Sequence, residues 1–424
     1  MFFYIIFLIF FMVLIKIPIA FSFGFGTLIY CLLSDINLTL IPQRIFTSLD
    51  NFTFLAIPFF LLVGNLMNVS GVTKKILNLA CSLVGHINGG LGHANVVASM
   101  LFAGLSGSAV ADAAGLGAVE MEMMRQYGYD DDFSGSITLA SSIIGPIIPP
   151  SIIMVIYGMV ASVSIGKMLL AGLFPGIVIG LCLMVMVSFM AKKKNYPQYP
   201  WKGCKNIFFS FKDAFLPLLT PLIIIGGIVG GFFTPTEAGA IAAFYTLFLG
   251  VFVFKEITWK KLKESLINTA LTTGLIAFII AVSGIFTWMI TIEGVPRNLV
   301  NLITSITSNK IAILLLINLS VLILGCFIDA TPLIIILVPV LFPLLKILNI
   351  DLIHFGIIIC VNAMIGTITP PVGTCLFAVH SISGLSIDRL SRGVLPFLLM
   401  LIVALLIITF VPEVSLFLPK LILG

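Results

Sequence analysis

Residues 141–151, SSIIGPIIPPS, and residues 366–374, GTITPPVGT, lie inside long apolar stretches in opposite halves of the chain. Each sets a Pro-Pro pair beside glycine and hydroxyl residues. Proline removes a backbone donor and forces the chain out of the helix. In hydrocarbon an unpaired N–H or C=O is costly, so irregular backbone persists only where protein buries it or a wet cavity meets it. A single break of this kind reads as a kinked structural helix. Two at corresponding points of two halves are the sequence pointer to the binding site of a secondary transporter.

The surroundings agree with a lipid setting. The 424 residues are 60% hydrophobic and only 9% charged, with a mean hydropathy of +1.23. A soluble domain carries roughly 25% charged residues. At about 20 residues per span, and with some helices short or broken, roughly 11 to 14 membrane segments are expected. The net charge of +5 does not point to nucleic acid, because the basic residues sit in a few short loops, as positive-inside bias requires. The apolar run from Phe2 to Ile15 has no basic leader and no small-residue cleavage site, so it reads as a retained first span. Seven scattered cysteines without C-x-x-C spacing read as small buried hydrophobes. His86 and His93 are separated by Asn88-Gly89-Gly90, which breaks a helix, so they do not form a metal pair. No metalloprotease motif, nucleophile elbow or phosphate-binding loop is present, which excludes an ATPase engine.

Working outward from the two breaks, the chain repeats itself. Pro18 and Pro235 precede apolar spans. Gly71-Val72-Thr73-Lys74 recurs as Gly294-Val295-Pro296-Arg297. Asp112 corresponds to Asp329, and Pro149-Pro150 to Pro370-Pro371. The separations are all between 217 and 223 residues. Lys16-Ile17-Pro18 and Thr234-Pro235-Thr236 open the matching spans. The predicted units are 1–195, with a hairpin region at about 86–151, and 212–424, with a hairpin region at about 311–374; residues 196–211 form a connector. Charge indicates that the repeats are inverted. Residues 34–52 hold Asp35, Arg44 and Asp50, whereas the corresponding 255–266 hold Lys255, Glu256, Lys260, Lys261, Lys263 and Glu264. Opposite net charge at matched positions places them on opposite faces of the membrane. Tyr196, Tyr199 and Trp201 alternate with Lys202, Lys205 and Lys212, and Trp259 precedes Lys260 and Lys261. Both stretches read as helices lying in the headgroup layer, with a plain loop as the rival reading for 196–205 because of Pro197 and Pro200.

In the first half, Gly104 to Gly115 is rich in small residues, which suits a tight helix seam. Asp112 within it is too costly for packing alone and marks a functional segment. Glu120 and Glu122 precede Arg125 and read as its partners or as surface residues. In the second half, Thr331-Pro332 resembles an N-cap followed by the first helical position. Thr234-Pro235-Thr236-Glu237 fits a structural capping box. Helix N-termini aimed at a mid-membrane cavity attract anions, and unwound carbonyls with hydroxyls suit Na⁺.

At these segments the chain resembles the large membrane (M) subunit of tripartite ATP-independent periplasmic (TRAP) transporters. The motifs are SGSAVADAAGLG, SSIIGPIIPPSIIMVIYG, FTPTEAGA and GTITPPVGTCLF, and the likeness covers the whole chain. The resemblance implies an all-α membrane protein of the elevator type, with two inverted repeats, each bearing a re-entrant hairpin and a Pro-broken helix. It implies Na⁺-driven symport of an organic acid in the inner membrane of a bacterium, without a cofactor other than the coupling ion. It also implies a small membrane (Q) subunit, expected here as a separate polypeptide, and a periplasmic substrate-binding (P) protein. Carried over by motif, one Na⁺ site uses Ser106, Gly145, Pro146 and Ile148, and a second uses Gly325, Gly366, Thr367 and Thr369. Substrate faces Ser108, Ser142, Ser151, Thr331 and Thr374, with Asp112, Asp329, Pro149, Pro150, Pro370 and Pro371 in support. Sialic acid and C4-dicarboxylates are both family substrates, with a lean to sialic acid. A binding-protein-independent Na⁺/anion symporter and an ion channel stay open on the residues alone.

Overall fold

The computed structural model describes residues 2–15, 17–198, 200–307 and 309–424, apart from the side chains of Leu14 and Ser106. The roles read for Lys16, for Tyr199 and for the Ser106 hydroxyl lie outside the described residues. Among the described residues every regular element is helical, as a lipid solvent demands of a chain that is not a closed barrel. The first group is α1 (Phe2–Leu14), α2 (Ile19–Leu33), α3 (Leu40–Leu49), α4 (Ala56–Val69) and α5 (Val72–Val84). Then α6 (Gly90–Ser106) turns into α7 (Ala109–Ala114) and α8 (Leu116–Gln126), which fold back along it. The first broken helix is α9 (Asp131–Ser141) with α10 (Ile152–Val160), followed by the long α11 (Ile165–Lys194). The second half runs α12 (Cys204–Val229), α13 (Pro235–Phe248), α14 (Trp259–Ile292) and α15 (Val295–Ile306). It continues with α16 (Lys310–Gly325) and α17 (Ala330–Ile347), the broken pair α18 (Leu352–Gly366) and α19 (Thr374–Ser383), then α20 (Ile387–Phe410) and α21 (Glu413–Leu423). Among the described residues seven helices are long and apolar enough to cross a membrane, and the others that are apolar are shorter.

The order of elements recurs between the halves. Gly71 and Gly294 both take left-handed backbone, at φ 75° and 66°, immediately before α5 and α15. Each half then has a helix, a tip, a returning helix and a broken helix, and both Pro-Pro bonds are cis. The halves interlock: α10 packs on α17 and α18, α7 on α19, and α9 and α11 on α20. Around this body, α4, α13 and α14 pack together, with α2 and α3 against α14.

Local expectations meet the structure unevenly. The capping box at α13 is complete: Glu237 Oε2 accepts from Thr234 N at 2.8 Å, and Thr234 Oγ1 accepts from Glu237 N at 3.3 Å. Thr331 is not an N-cap. Asp329 holds that position with extended backbone, and Pro332 sits at the third helical residue, where a missing N–H is still harmless. The two aromatic–lysine stretches are not separate interfacial helices. Residues 196–198 and 200–203 form no helix, in line with the loop reading, whereas 204–215 are the start of α12 and Trp259 opens α14, because the apolar run beyond each extends the helix without a break. Glu120 and Glu122 do not pair with Arg125, whose Nε reaches Asp131 Oδ1. Glu122 is exposed and accepts from Gln126, while Glu120 is buried.

The chain leaving α11 is tied down before it crosses to α12. Lys194 Nζ and Tyr196 OH both donate to Asp130 Oδ2, Tyr129 OH donates to Pro197 O at 2.8 Å, and the Tyr129 and Tyr196 rings stack at 4.6 Å. The Lys194 and Tyr196 donors hold the Asp130 carboxyl below the usual carboxylate range. That group is half exposed, so its replacement by Asn should cost no more than about 1 kcal/mol. Because the folded pKa is depressed, the difference is present at neutral pH and disappears as pH falls through the carboxylate range. Thermal melts of wild type and Asp130→Asn in detergent should therefore separate at pH 7 and converge only at a pH below the usual carboxylate range.

Candidate functional site

The two breaks are built differently in detail and alike in outcome. In the first, α9 ends at Ser141 and one tight turn, Ser142–Ile144, carries the chain to Gly145-Pro146. Ile147 and Ile148 donate to Ile144 O at 3.0 Å each, and α10 restarts at Ser151. Ser151 Oγ accepts from Met154 N at 3.2 Å and donates to Pro146 O, so this hydroxyl caps a helix. In the second, Thr369 N donates to Gly366 O at 3.0 Å and Cys375 N to Thr367 O at 3.0 Å. Gly373, at φ 50°, lets Thr367 O and Thr369 O converge on the same side, 3.0 and 3.1 Å from the point a Cβ would occupy.

The tips of the two hairpins meet these breaks. Gly107, at φ 63°, lies so close to Pro150 O that a Cβ there would sit 2.8 Å from it, and a Cβ on Gly145 would overlap Asp112 Oδ2. On the other side Gly325 and Gly366 touch through backbone, and a Cβ on Gly366 would come within 2.6 Å of Gly325 Cα. Val372 N donates to Cys326 O at 3.3 Å, and Thr374 Oγ1 donates to Asp329 Oδ1 at 3.0 Å. Each tip is thus held against the break of its own half.

Between the two tips lies a cavity of about 440 Å³. Its walls include Ser108, Pro146, Asp329, Thr331, Thr367 and Thr374 from tips and breaks, and Asn65, Thr272 and Ile276 from α4 and α14. Helices α10, α17 and α19 all start at this wall, through Ile152, Ala330 and Thr374. Among the described lining residues there is no Lys, Arg or His, and Asp329 is the one acidic residue. Fixed positive potential in this cavity therefore comes from helix N-termini, whose free N–H groups and dipoles favour anions.

Ser142 and Ser151, also singled out in the sequence, lie behind that wall. Ser142 is buried with its hydroxyl on Leu139 O at 2.8 Å, and Ser151 is spent as described, so neither lines the cavity. Thr367 and Thr369 donate to Met364 O and Ile365 O at 2.7 Å each, which leaves the oxygen of each able to accept; that of Thr367 already takes a weak bond from Cys375 Sγ at 3.6 Å. Gly145, Ile148, Pro149 and Pro150 are buried in the first break, and Pro370 and Pro371 are more open in the second. Sequence reasoning missed the wall supplied by α4 and α14. Asn65 and Asn68 in an apolar run and the Thr272-Thr273 pair were the available signals. It also missed Asn95, whose side chain joins Glu120, Thr138 and Ser141 in the interior.

A bundle of apolar helices in which two broken helices and two helix tips enclose a largely apolar chamber with a few polar groups is the architecture of a multi-pass membrane protein. Comparison with known proteins agrees. The crystal structure of the Alcanivorax borkumensis YdaH transporter matches with a TM-score of 0.65 over 88% of each chain at 12% identity, a likeness of fold alone. The Vibrio cholerae sialic acid TRAP transporter large permease protein SiaM is 45% identical over 96% of both chains. The Haemophilus influenzae sialic acid TRAP transporter permease protein SiaT is 44% identical over 96% of this chain and 67% of its own length. The Pseudomonas aeruginosa C4-dicarboxylate TRAP transporter large permease protein DctM is 39% identical over 93% of this chain and 92% of its own. The family model for the tripartite ATP-independent periplasmic transporter DctM component matches residues 6–414. The chain belongs to that family, as the large membrane (M) subunit of a TRAP transporter.

Proposed function

We propose that this permease carries an organic carboxylate into the cell with Na⁺, taking it from a periplasmic binding protein and working beside a small Q subunit in a bacterial inner membrane. The observation that carries the proposal is the chamber between the tips. It offers three helix N-termini and hydroxyls, no basic side chain among the described residues, and adjoining breaks whose carbonyls and threonines suit a bare monovalent cation. An anion buried there alone would be prohibitive, and bound Na⁺ offsets its charge. Each Na⁺ moving down 100 mV yields about 2.3 kcal/mol, enough for substantial accumulation. Sialic acid is the preferred substrate and a C4-dicarboxylate the second, in line with the relatives named above. The matched order of elements and the opposite charge of matched loops support inverted repeats. Packing of the hairpin-bearing body against α4 and α14 suits an elevator stroke of one against the other.

The test is uptake in proteoliposomes holding this chain, the Q subunit and the binding protein. Uptake of labelled sialic acid that needs both an inward Na⁺ gradient and the binding protein is expected. Flux without either would instead indicate a binding-protein-independent symporter or a channel. Within this scheme Thr369→Ala removes one oxygen from the second Na⁺ site. Half-saturating Na⁺ should rise roughly tenfold, the worth of one hydrogen-bond-strength ligand. An unchanged Na⁺ dependence would remove Thr369 from the site.

A further inference from the structure

Two asparagines on the first arms of the hairpins make the same kind of bond in each half. Asn95 of α6 accepts at Oδ1 from Ser141 Oγ at 2.6 Å, and its Nδ2 donates to Glu120 Oε2 at 2.6 Å and to Thr138 Oγ1 at 2.9 Å. Asn318 of α16 accepts at Oδ1 from Asn362 Nδ2 at 3.1 Å, and at its backbone carbonyl from the same amide at 2.9 Å. Its own Nδ2 donates to Thr409 Oγ1 at 2.9 Å. All of these residues are in the interior: Asn95 is 1% exposed, Ser141 0%, Asn318 4% and Asn362 0%, and Glu120, Thr138 and Thr409 are buried as well. Ser141 and Asn362 each stand four residues, one helical turn, before the glycine that opens the break, Gly145 and Gly366. The two halves differ in sequence at the partner position, serine in one and asparagine in the other. They agree in where the bond is made.

Apolar helices slide past each other at little cost in lipid, because tails and side chains are equally greasy. A buried directional polar pair selects one register out of many that would pack equally well. We propose that Asn95 and Asn318 are positioning residues for cation binding, each fixing the hairpin's first arm to the broken helix and so setting the gap between tip and break. The oxygen ligands of a cation come from those two segments, and a site held loosely binds poorly. The proposal rests on the Na⁺-coupled function given above and names which side chains tune it.

The second half gives the cleaner experiment, because Asn95 also holds Glu120. Asn318→Leu keeps the branching of the side chain and removes its bonds to Asn362 and Thr409, leaving the Asn362 amide only the Asn318 backbone carbonyl. Asn362→Ser installs in the second half the Ser–Asn pair that the first half already uses. The complete transporter in proteoliposomes reports uptake against Na⁺, and the purified protein in detergent reports the Na⁺-induced rise in melting temperature. Asn318→Leu should raise half-saturating Na⁺ roughly three- to tenfold, the range of one interhelical hydrogen bond in a membrane. Its maximal rate at saturating Na⁺ should be retained, and Asn362→Ser should stay close to wild type. Should Asn318→Leu not fold, Asn318→Ser shortens the same side chain and should show the same rise. A reduced maximal rate with unaltered half-saturating Na⁺ and thermal response would make the asparagine merely structural and overturn the proposal. Wild-type uptake indifferent to Na⁺ is a separate result that overturns the coupling itself.

Discussion

Replacing Gly366 by alanine should abolish uptake while leaving insertion of the chain into the membrane intact. A Cβ at this position would stand 2.6 Å from Gly325 Cα, 2.7 Å from its carbonyl carbon and 2.8 Å from its carbonyl oxygen. All three are backbone atoms, so no side chain can rotate away, and the tip must retreat from the break. Carbon atoms at rest sit about 3.5–4.0 Å apart, so the retreat is about 1 Å. It would pull Cys326 O from Val372 N and spread Gly325 from Thr367 and Thr369. A reacting or binding constellation displaced by about 1 Å typically loses on the order of a hundredfold. Gly325→Ala makes a useful contrast, because its Cβ would meet Gly366 Cα at 3.1 Å, a tighter contact than normal but a smaller intrusion. Initial uptake rates per amount of reconstituted protein should fall in the order wild type, Gly325→Ala, Gly366→Ala. Wild-type transport by Gly366→Ala would show that the touching glycines are mere packing.

Much of this arrangement was legible because it is written in residues with few conformational options. Pro149-Pro150 and Pro370-Pro371 cannot continue a helix, so both breaks could be placed without coordinates, and Thr234 to Glu237 spelled out a cap that the structure makes atom for atom. Where several residues can do the same job, the sequence was ambiguous. Thr331-Pro332 looked like a helix start, yet Asp329 two residues earlier can also lead the helix, and its carboxylate gains a bond from Thr374 that only the fold supplies. Aromatic–lysine stretches mark the headgroup layer equally well as separate helices or as ends of spans, and 204–215 and 259–263 proved to be ends. Asn65 and Thr272 come together from helices far apart in the chain, and the Asn95–Glu120 contact forms only once α8 has folded back along α6. No local pattern announces them, although a polar side chain in an apolar run is reason to look for a partner.

Asp329→Asn should leave the protein folded and transport-competent only at high Na⁺. Asparagine keeps an oxygen that can accept from Thr374 Oγ1, the 3.0 Å bond that ties the second tip to α19. What it loses is the charge of the one acidic residue among the described residues of the chamber wall. In the proposed function a carboxylate substrate sharing that space is repelled by Asp329, and cations that bind first would reverse the local potential. Unit charges 6 Å apart interact by about 3 kcal/mol at an effective dielectric of 20, and water in an open chamber weakens this. Half-saturating Na⁺ should therefore rise roughly tenfold to a hundredfold. The two effects of the charge oppose each other for the substrate. At saturating Na⁺ the apparent affinity for the carboxylate should be equal to or tighter than that of wild type, since the repulsion is gone. Uptake measured over a matrix of Na⁺ and substrate concentrations separates the two. A loss of substrate affinity that no Na⁺ concentration restores would show that Asp329 binds substrate hydroxyls directly, and the charge-compensation account of the chamber would have to be abandoned.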